Sequence, residues 1–286
     1  MKGTSLSIYP IKLLIKFINK YKWALLCITL TIVGAFFYFY MKKEGFNNIN
    51  FMDGADVIYW INLDRSTERK EIMLKMLDDP VFEDIQKIRI PATDGKKPDE
   101  MYQKLGEYNK QESTTDLEYG CLLSHMDAIR SFYESTHNTA LILEDDNTLE
   151  FKKYWKKSIK QITNNAPDDW DAIMLWYNVG SNGFKNSEYN KYNGEDGTVA
   201  YLVSRRGAEK IIKNFYKDGK YNLTNDFHHK SDVYIYRKLN TYVYKYPMFV
   251  FRTNNDSEIH KDHVDSLHNV SKQNAVAAHE SEMKAL

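Results

Sequence analysis

Glu144, Asp145 and Asp146 stand directly after the apolar run Thr139-Ala-Leu-Ile-Leu143. Three adjacent carboxylates at the end of a buried strand repel one another and lose hydration. A divalent cation relieves both penalties, and hard oxygen donors of this kind suit Mn²⁺ or Mg²⁺. An ion so held can neutralise a leaving diphosphate. A solvated acidic turn is the competing reading of the same three residues.

A second motif, Ile61-Asn-Leu-Asp-Arg-Ser-Thr-Glu-Arg69, joins a strand to a helix start and carries two guanidinium groups. Helix starts and arginines both favour phosphate oxygens, so Asn62, Asp64, Arg65 and Arg69 are candidates for holding a nucleotide and its phosphates. The bland alternative is a capped surface helix with ordinary ion pairs. A third motif, Glu118-Tyr-Gly-Cys-Leu-Leu-Ser-His125, offers His125 as a donor-binding ligand or a base, or as a hydrogen-bonded structural histidine. Near the C-terminus Asp256, Glu258, His260 and His263 gather. Neutral imidazole suits Mn²⁺-like ions, which makes His260 a candidate further metal ligand, against simple membership of a polar tail.

These groups are far apart in sequence, so the elements around them must bring them to one place. Residues 56–63 are a β-favouring run apt for a strand buried on both faces. A helical pattern follows over 68–77, with Ser66 or Thr67 as N-cap, and then a strand over 85–90 and a turn at 91–95. The polar stretch 96–117 reads as a loop with short helical pieces. Residues 118–135 show a helical face of Leu122, Met126, Ile129 and Phe132. Further strands are predicted at 139–143, 171–176, 199–203, 242–246 and 248–251, with a helix over 206–215. Strands alternating with helices imply an α/β sheet between helical layers, and such sheets bind ligands at the carboxyl ends of their strands. The segments after Leu63 and Leu143 are ends of that kind.

Composition narrows the classes. Lys plus Arg and Asp plus Glu both number 39, so bulk charge gives no reason to expect a nucleic-acid partner. Cys27 lies within an apolar run, leaving Cys121 as the one thiol of the globular part and no internal disulfide there. From Trp23 to Met41 no residue is charged, and a helix of that length reaches about 28 Å, near the thickness of a bilayer core. Trp23, Tyr38 and Tyr40 suit the aromatic belts of such a span. No small-residue cleavage pattern follows it, so the segment reads as a retained anchor. Lysines 2, 12, 16, 20 and 22 precede it and only 42 and 43 follow, which favours a cytoplasmic N-terminus. The sequence thus divides into a basic cytoplasmic tail (1–22), a transmembrane anchor (23–41), a stem (42–55), a catalytic domain (56–263) and a polar tail (264–286). That is a single-pass type II protein with its domain lumenal, as in the endoplasmic reticulum or Golgi, or extracytoplasmic. Sequons at Asn222, Asn255 and Asn269 fit a glycoprotein of that topology.

Taken together, the order and spacing of these motifs resemble the family 25 glycosyltransferases. The likeness runs from Ile-Asn-Leu-Asp-Arg65 and Ala92-Thr-Asp-Gly95 through Gly120-Cys-Leu-Leu-Ser-His125 and Leu-Glu-Asp-Asp146. It continues in Ala200-Tyr-Leu-Val-Ser-Arg-Arg-Gly-Ala208, in Ser231-Asp232, and in the stretch from Pro247 to Ile259. Lys70, Asn147 and Glu258 depart from the family pattern without removing a proposed metal ligand. The resemblance implies a GT-A type nucleotide-binding sheet sandwiched by helices. It implies metal-dependent, inverting transfer of a hexose, galactose or glucose, from a nucleoside-diphosphate sugar such as a UDP-sugar to a glycan, lipid-linked or protein hydroxyl. Glu144, Asp145 and Asp146 then stand for the family's metal-binding acidic motif. Asp232, at the family's matching acidic position before a helix, becomes the candidate catalytic base, with helix capping as its plainer role. The rivals are an inactive sugar-nucleotide-binding subunit of the same fold and a metal-dependent phosphoesterase. The intact acidic triplet argues against the first, and the want of further His/Asp motifs after several strands against the second.

Overall fold

The computed structural model describes residues 20–24, 30–36, 49–223, 229–253 and 268–284. The chain divides into two compact units, Met1–Asn50 and Phe51–Leu286. In the first, residues 20–24 and 30–36 are helical. Most of the predicted anchor, and His260, lie outside the described residues. Among the described residues no helix is long and apolar enough to cross a membrane.

The second unit runs β1 (Val57–Asn62), α1 (Thr67–Leu77), β2 (Gln86–Pro91), α2 (Pro98–Gln103), β3 (Leu105–Tyr108), α3 (Asp116–Glu134), β4 (Thr139–Glu144) and β5 (Asn147–Thr148). It continues with α4 (Ile159–Asn165), β6 (Ala172–Met174), β7 (Tyr189–Lys191), β8 (Ala200–Ser204), α5 (Arg205–Phe215), β9 (Tyr216–Lys217) and β10 (Lys220–Leu223). Last come α6 (Ser231–Lys238), β11 (Thr241–Tyr244), β12 (Val250–Phe251) and α7 (Asn269–Lys284). A seven-stranded sheet of order β2-β1-β4-β8-β6-β11-β7 forms its centre. It is mixed: β1 is parallel to β2 and β4, while β8 runs antiparallel to both β4 and β6.

All six residues of β1 are buried, as its uninterrupted apolar run predicts for a central strand. Alternation assigns them to two cores. Val57, Tyr59 and Ile61 pack with Leu122, Met126 and Ile129 of α3 on one face, while Ile58 and Trp60 pack with Met73 and Leu77 of α1 and Ile159 of α4 on the other. The result is a mixed α/β domain with helices on both sides of a large central sheet, the layering expected of a GT-A type fold. Helix α3 starts with a capping box in which Thr115 Oγ1 accepts from Glu118 N and the Glu118 carboxylate accepts from Thr115 N.

Three regions differ from the sequence-based expectations. Within 96–117, β3 pairs in parallel with β10, and β9 completes a three-stranded sheet. Its partners lie more than a hundred residues away, so local pattern does not reveal it. Residues 51–55, assigned to the stem, belong to the folded unit: Met52 is buried and Phe51 meets the Trp155 ring edge-on at 5.5 Å. Within the polar segment 264–286, residues 269–284 form α7, which buries Ser271, Ala275 and His279. These three fall on one face at a spacing of four, but none is a large apolar residue, so hydrophobic periodicity is silent there.

Candidate active site

Parallel pairing fixes the geometry of the site. Register aligns Ile61 with Glu144 and Asn62 with Pro91, so the segments leaving β1, β2 and β4 emerge side by side at one sheet edge. The antiparallel β8 starts at the same edge, with Ala200 opposite Leu143, and delivers Thr198 beside Glu144. Helix α6, whose first turn carries Ser231 and Asp232, reaches this edge too, through a Thr198–Ser231 hydroxyl contact of 3.2 Å.

A cavity of about 130 Å³ opens here, lined among others by Asn62, Arg65, Arg69, Thr93, Gly95 and Asp146. That is below the roughly 300–1,000 Å³ of a small-molecule site, so the enclosed part suits a fragment of a nucleotide, with the remainder in the open cleft. Its wall explains the Gly120 motif. A Cβ on Gly120 would come within 2.7 Å of the Thr93 carbonyl oxygen, so glycine lets α3 close onto the 93–95 turn. Ser124 Oγ then accepts from Thr93 N at 2.8 Å and donates to the Gly120 carbonyl at 2.6 Å.

The acidic triplet is held from several directions. Asn62 Nδ2 donates to Asp145 Oδ2 at 2.6 Å, and Arg69 spans Asp145 and Asp146. Arg252 fixes the backbone beneath, its side chain donating to Asp145 O at 2.9 Å and its N–H to Asp146 O at 2.8 Å. Burial, reinforced by the Glu144 charge, pushes the Asp146 carboxyl up to about 7. Burial also raises Asp145, against the opposing pull of Arg69 and Asn62. Glu144 behaves differently: burial would raise it, but the bonds and charge of His125, with Thr198 and Arg69, outweigh this and hold it below the usual range. Asp146 Oδ1 is buried with no hydrogen-bond partner among the described residues. The orphan oxygen offers a hard divalent cation one ligand, although Arg69 already pairs with Asp145 and Asp146 and the three carboxylates do not all converge within 4.8 Å.

His125 is fully buried, with Nδ1 3.1 Å from the Tyr201 hydroxyl and Nε2 3.3 Å from Glu144 Oε1. Both nitrogens are thus engaged by the protein, which suits orienting Glu144 better than the donor contact proposed from sequence. Thr198 Oγ1 also donates to Glu144 Oε1, at 2.6 Å. Among the described residues, the metal-ligating side chains whose donors all lie within 4.8 Å of one another are Cys121, His125 and Glu144. Burial and the nearby Glu144 charge push the Cys121 thiol up, which keeps it protonated, and its sulfur sits 3.4 Å from Ser231 Oγ. This group therefore reads as a hydrogen-bonded support beneath the triplet.

The remaining predicted residues divide. Arg65 lines the cavity and pairs with Asp94 at 2.8 Å. Asp64 does not: its carboxylate is 79% exposed and bonds Arg89 at 2.6 Å, outside the cavity lining. Asp232 lies within the first turn of α6, where Lys230 is the N-cap, so it is not the cap. Its Oδ2 accepts from Gly197 N at 3.2 Å and its Oδ1 from Val233 N at 2.9 Å. Burial first, then the Asp196 charge, raises its carboxyl. Gly197 itself has φ +120°, and a Cβ there would press within 2.8 Å of the Trp176 ring. Arg89, Thr198 and Arg252 were not foreseen; of these only Arg89, a charge inside a strand, carries a sequence signal.

The profile described as glycosyltransferase family 25 (LPS biosynthesis protein) matches residues 55–228. A glycosyltransferase 25 family member of Aedes aegypti is 28% identical over 183 residues, covering 56% of this chain and 28% of the relative. Procollagen galactosyltransferase 2 of Homo sapiens is 26% identical, with 56% and 28% covered, and procollagen galactosyltransferase 1 of Danio rerio 24%, with 56% and 29% covered. The chain therefore matches less than a third of the length of these relatives.

Proposed function

The chain belongs to glycosyltransferase family 25, and from that premise we infer that it is a glycosyltransferase that moves a hexose from a nucleoside-diphosphate sugar to a hydroxyl acceptor with inversion. Galactose is favoured by the relatives named procollagen galactosyltransferase, and a UDP donor is what the family resemblance implies. The observation that carries the reading is the orphaned, buried Asp146 Oδ1 in a carboxylate triplet at the rim of the cavity.

Asp146 and Asp145, with Glu144 beside them, would hold Mn²⁺ or Mg²⁺, which when bound neutralises charge on the leaving nucleoside diphosphate. The chain's own groups do the rest. Asn62 and Arg252 fix the triplet's side chain and backbone, and His125 and Thr198 orient Glu144. Arg69 and Arg65, which line the cavity, supply the guanidinium groups for donor phosphates. Asp232 accepts the proton of the acceptor hydroxyl: its raised affinity for a proton suits a general base, and two backbone N–H groups fix its aim. A panel of sugar nucleotides incubated with purified full-length chain tests this reading. Release of nucleoside diphosphate from one donor, lost on chelation and restored by Mn²⁺ or Mg²⁺, is expected; release from none would end it.

For topology, we read residues 23–41 as one anchor that leaves the domain lumenal or extracytoplasmic. The uncharged run and the lysines before it support this. In sealed microsomes the domain should resist added protease until detergent is present, and complete digestion without detergent would refute the orientation.

A further inference from the structure

A second opening lies further along the same sheet edge. Met174 pairs with Tyr201, which in turn pairs with Ile142, so β6 runs parallel to β4 and ends two residues short of the level of Glu144. Residues 177–186 leave β6 there, and Asn178 at their start is linked to the candidate base through the 196–197 backbone. Asn178 N donates to Asp196 O at 3.3 Å, and the adjoining Gly197 N donates to Asp232. Helix α7 forms the opposite wall, pinned where Ser271 Oγ accepts from Val179 N at 2.7 Å and Asn274 Nδ2 donates to Val179 O at 3.0 Å. Between the two walls is a cavity of about 420 Å³, within the span of small-ligand sites.

Its chemistry is selective. The charged groups are matched in pairs, Lys185 with Glu195 and Lys245 with Glu282. A phosphate or anionic headgroup would call for unmatched cations. What faces the opening instead is the exposed Asn182, Asn186 and Ser281, and the half-buried ring of Phe184. That ring is braced edge-on by Tyr246 at 5.6 Å and His279 at 4.7 Å. Amides and a hydroxyl beside a fixed aromatic ring match a neutral polyol with one apolar C–H face.

We propose that this groove between residues 180–186 and α7 binds a sugar ring of a glycan acceptor. The role as acceptor site rests on the transferase reading above; the binding of sugar does not. Ser281 lies on the exposed side of α7, so Ser281→Trp fills the groove without touching the core, and Asn186→Ala removes one amide. The probes are methyl β-galactopyranoside and methyl β-glucopyranoside, followed by saturation-transfer NMR on the full-length chain. Binding of one glycoside is expected, weakened about tenfold or more by Ser281→Trp and measurably by Asn186→Ala, with unfolding midpoints kept. Three results overturn the proposal: no binding of either glycoside, binding undiminished in both variants, or Ser281→Trp abolishing binding of a hydroxylysine peptide while the glycosides bind as before. Donor hydrolysis by the unaltered chain is measured separately. A chain that binds the glycoside here but hydrolyses no donor fails the transferase reading and keeps the groove.

Discussion

Asn62 shows how single residues are fixed at this site. Arg89 Nε donates to Asn62 Oδ1 at 3.0 Å, and an arginine has no acceptor to offer, so the amide nitrogen must face Asp145. The sequence marks Asn62 as a candidate but does not reveal that Arg89 orients it, because the two meet only when β1 pairs with β2. Asp232 raises a sharper question, since a base and a mere acceptor for the Gly197 and Val233 N–H groups differ in what their loss costs. Asp232→Asn keeps an oxygen for the backbone donors but cannot take a proton. Transfer should fall by roughly 10²–10⁴ with donor KM little changed, as read by steady-state kinetics on folded protein. A structural role alone would cost about 1 kcal/mol of stability and leave turnover near normal. His125 was legible as important, yet its buried ring contacts Glu144, a partner that only the packing of α3 on the end of β4 exposes.

Elements with strong local patterns were readable: β1 from its apolar run and α3 from its apolar face. Those defined by distant partners were not, β3 and α7 above all. The docking of α7 turns on His279, which is 1% exposed, stacks on Tyr154 with ring centroids 4.4 Å apart, and lies 3.1 Å from the Pro247 carbonyl oxygen. Donation to that carbonyl leaves the other ring nitrogen unprotonated. Burial, only partly offset by this bond, pushes the His279 pKa down to about 4 from 6.5. The folded state therefore disfavours the charged ring, and the unfolded chain binds more protons between those values. Its contribution is full above pH 6.5 and is lost as pH falls through about 4, at most about 3 kcal/mol. Chemical denaturation across this window should show a steeper loss for the natural chain than for His279→Phe. Identical pH slopes would remove His279 from the account.

In the whole molecule the sheet acts as a ruler. Parallel β1, β2, β4, β6 and β11, with β8 inverted among them, bring the 62–69 segment, the acidic triplet, Asp232 and the 177–186 segment to one edge in that order. Glu144 and Asp232 are 88 positions apart in sequence, yet the charge of one raises the other. The sequence carried the motifs and their order, while pairing register, invisible locally, set which of them meet. In the proposed reaction the triplet at the end of β4 runs glycosyl transfer, and Asp146, with its unpartnered oxygen, is its most telling member. The direct measurement is UDP release from UDP-galactose, with saturating Mn²⁺, by purified Asp146→Asn and by the unaltered chain, each first checked for folding by circular dichroism. Turnover should fall by about 10²-fold or more in the variant, since its amide cannot supply a second anionic oxygen to a cation. A folded Asp146→Asn protein that releases UDP at the unaltered rate would contradict the account.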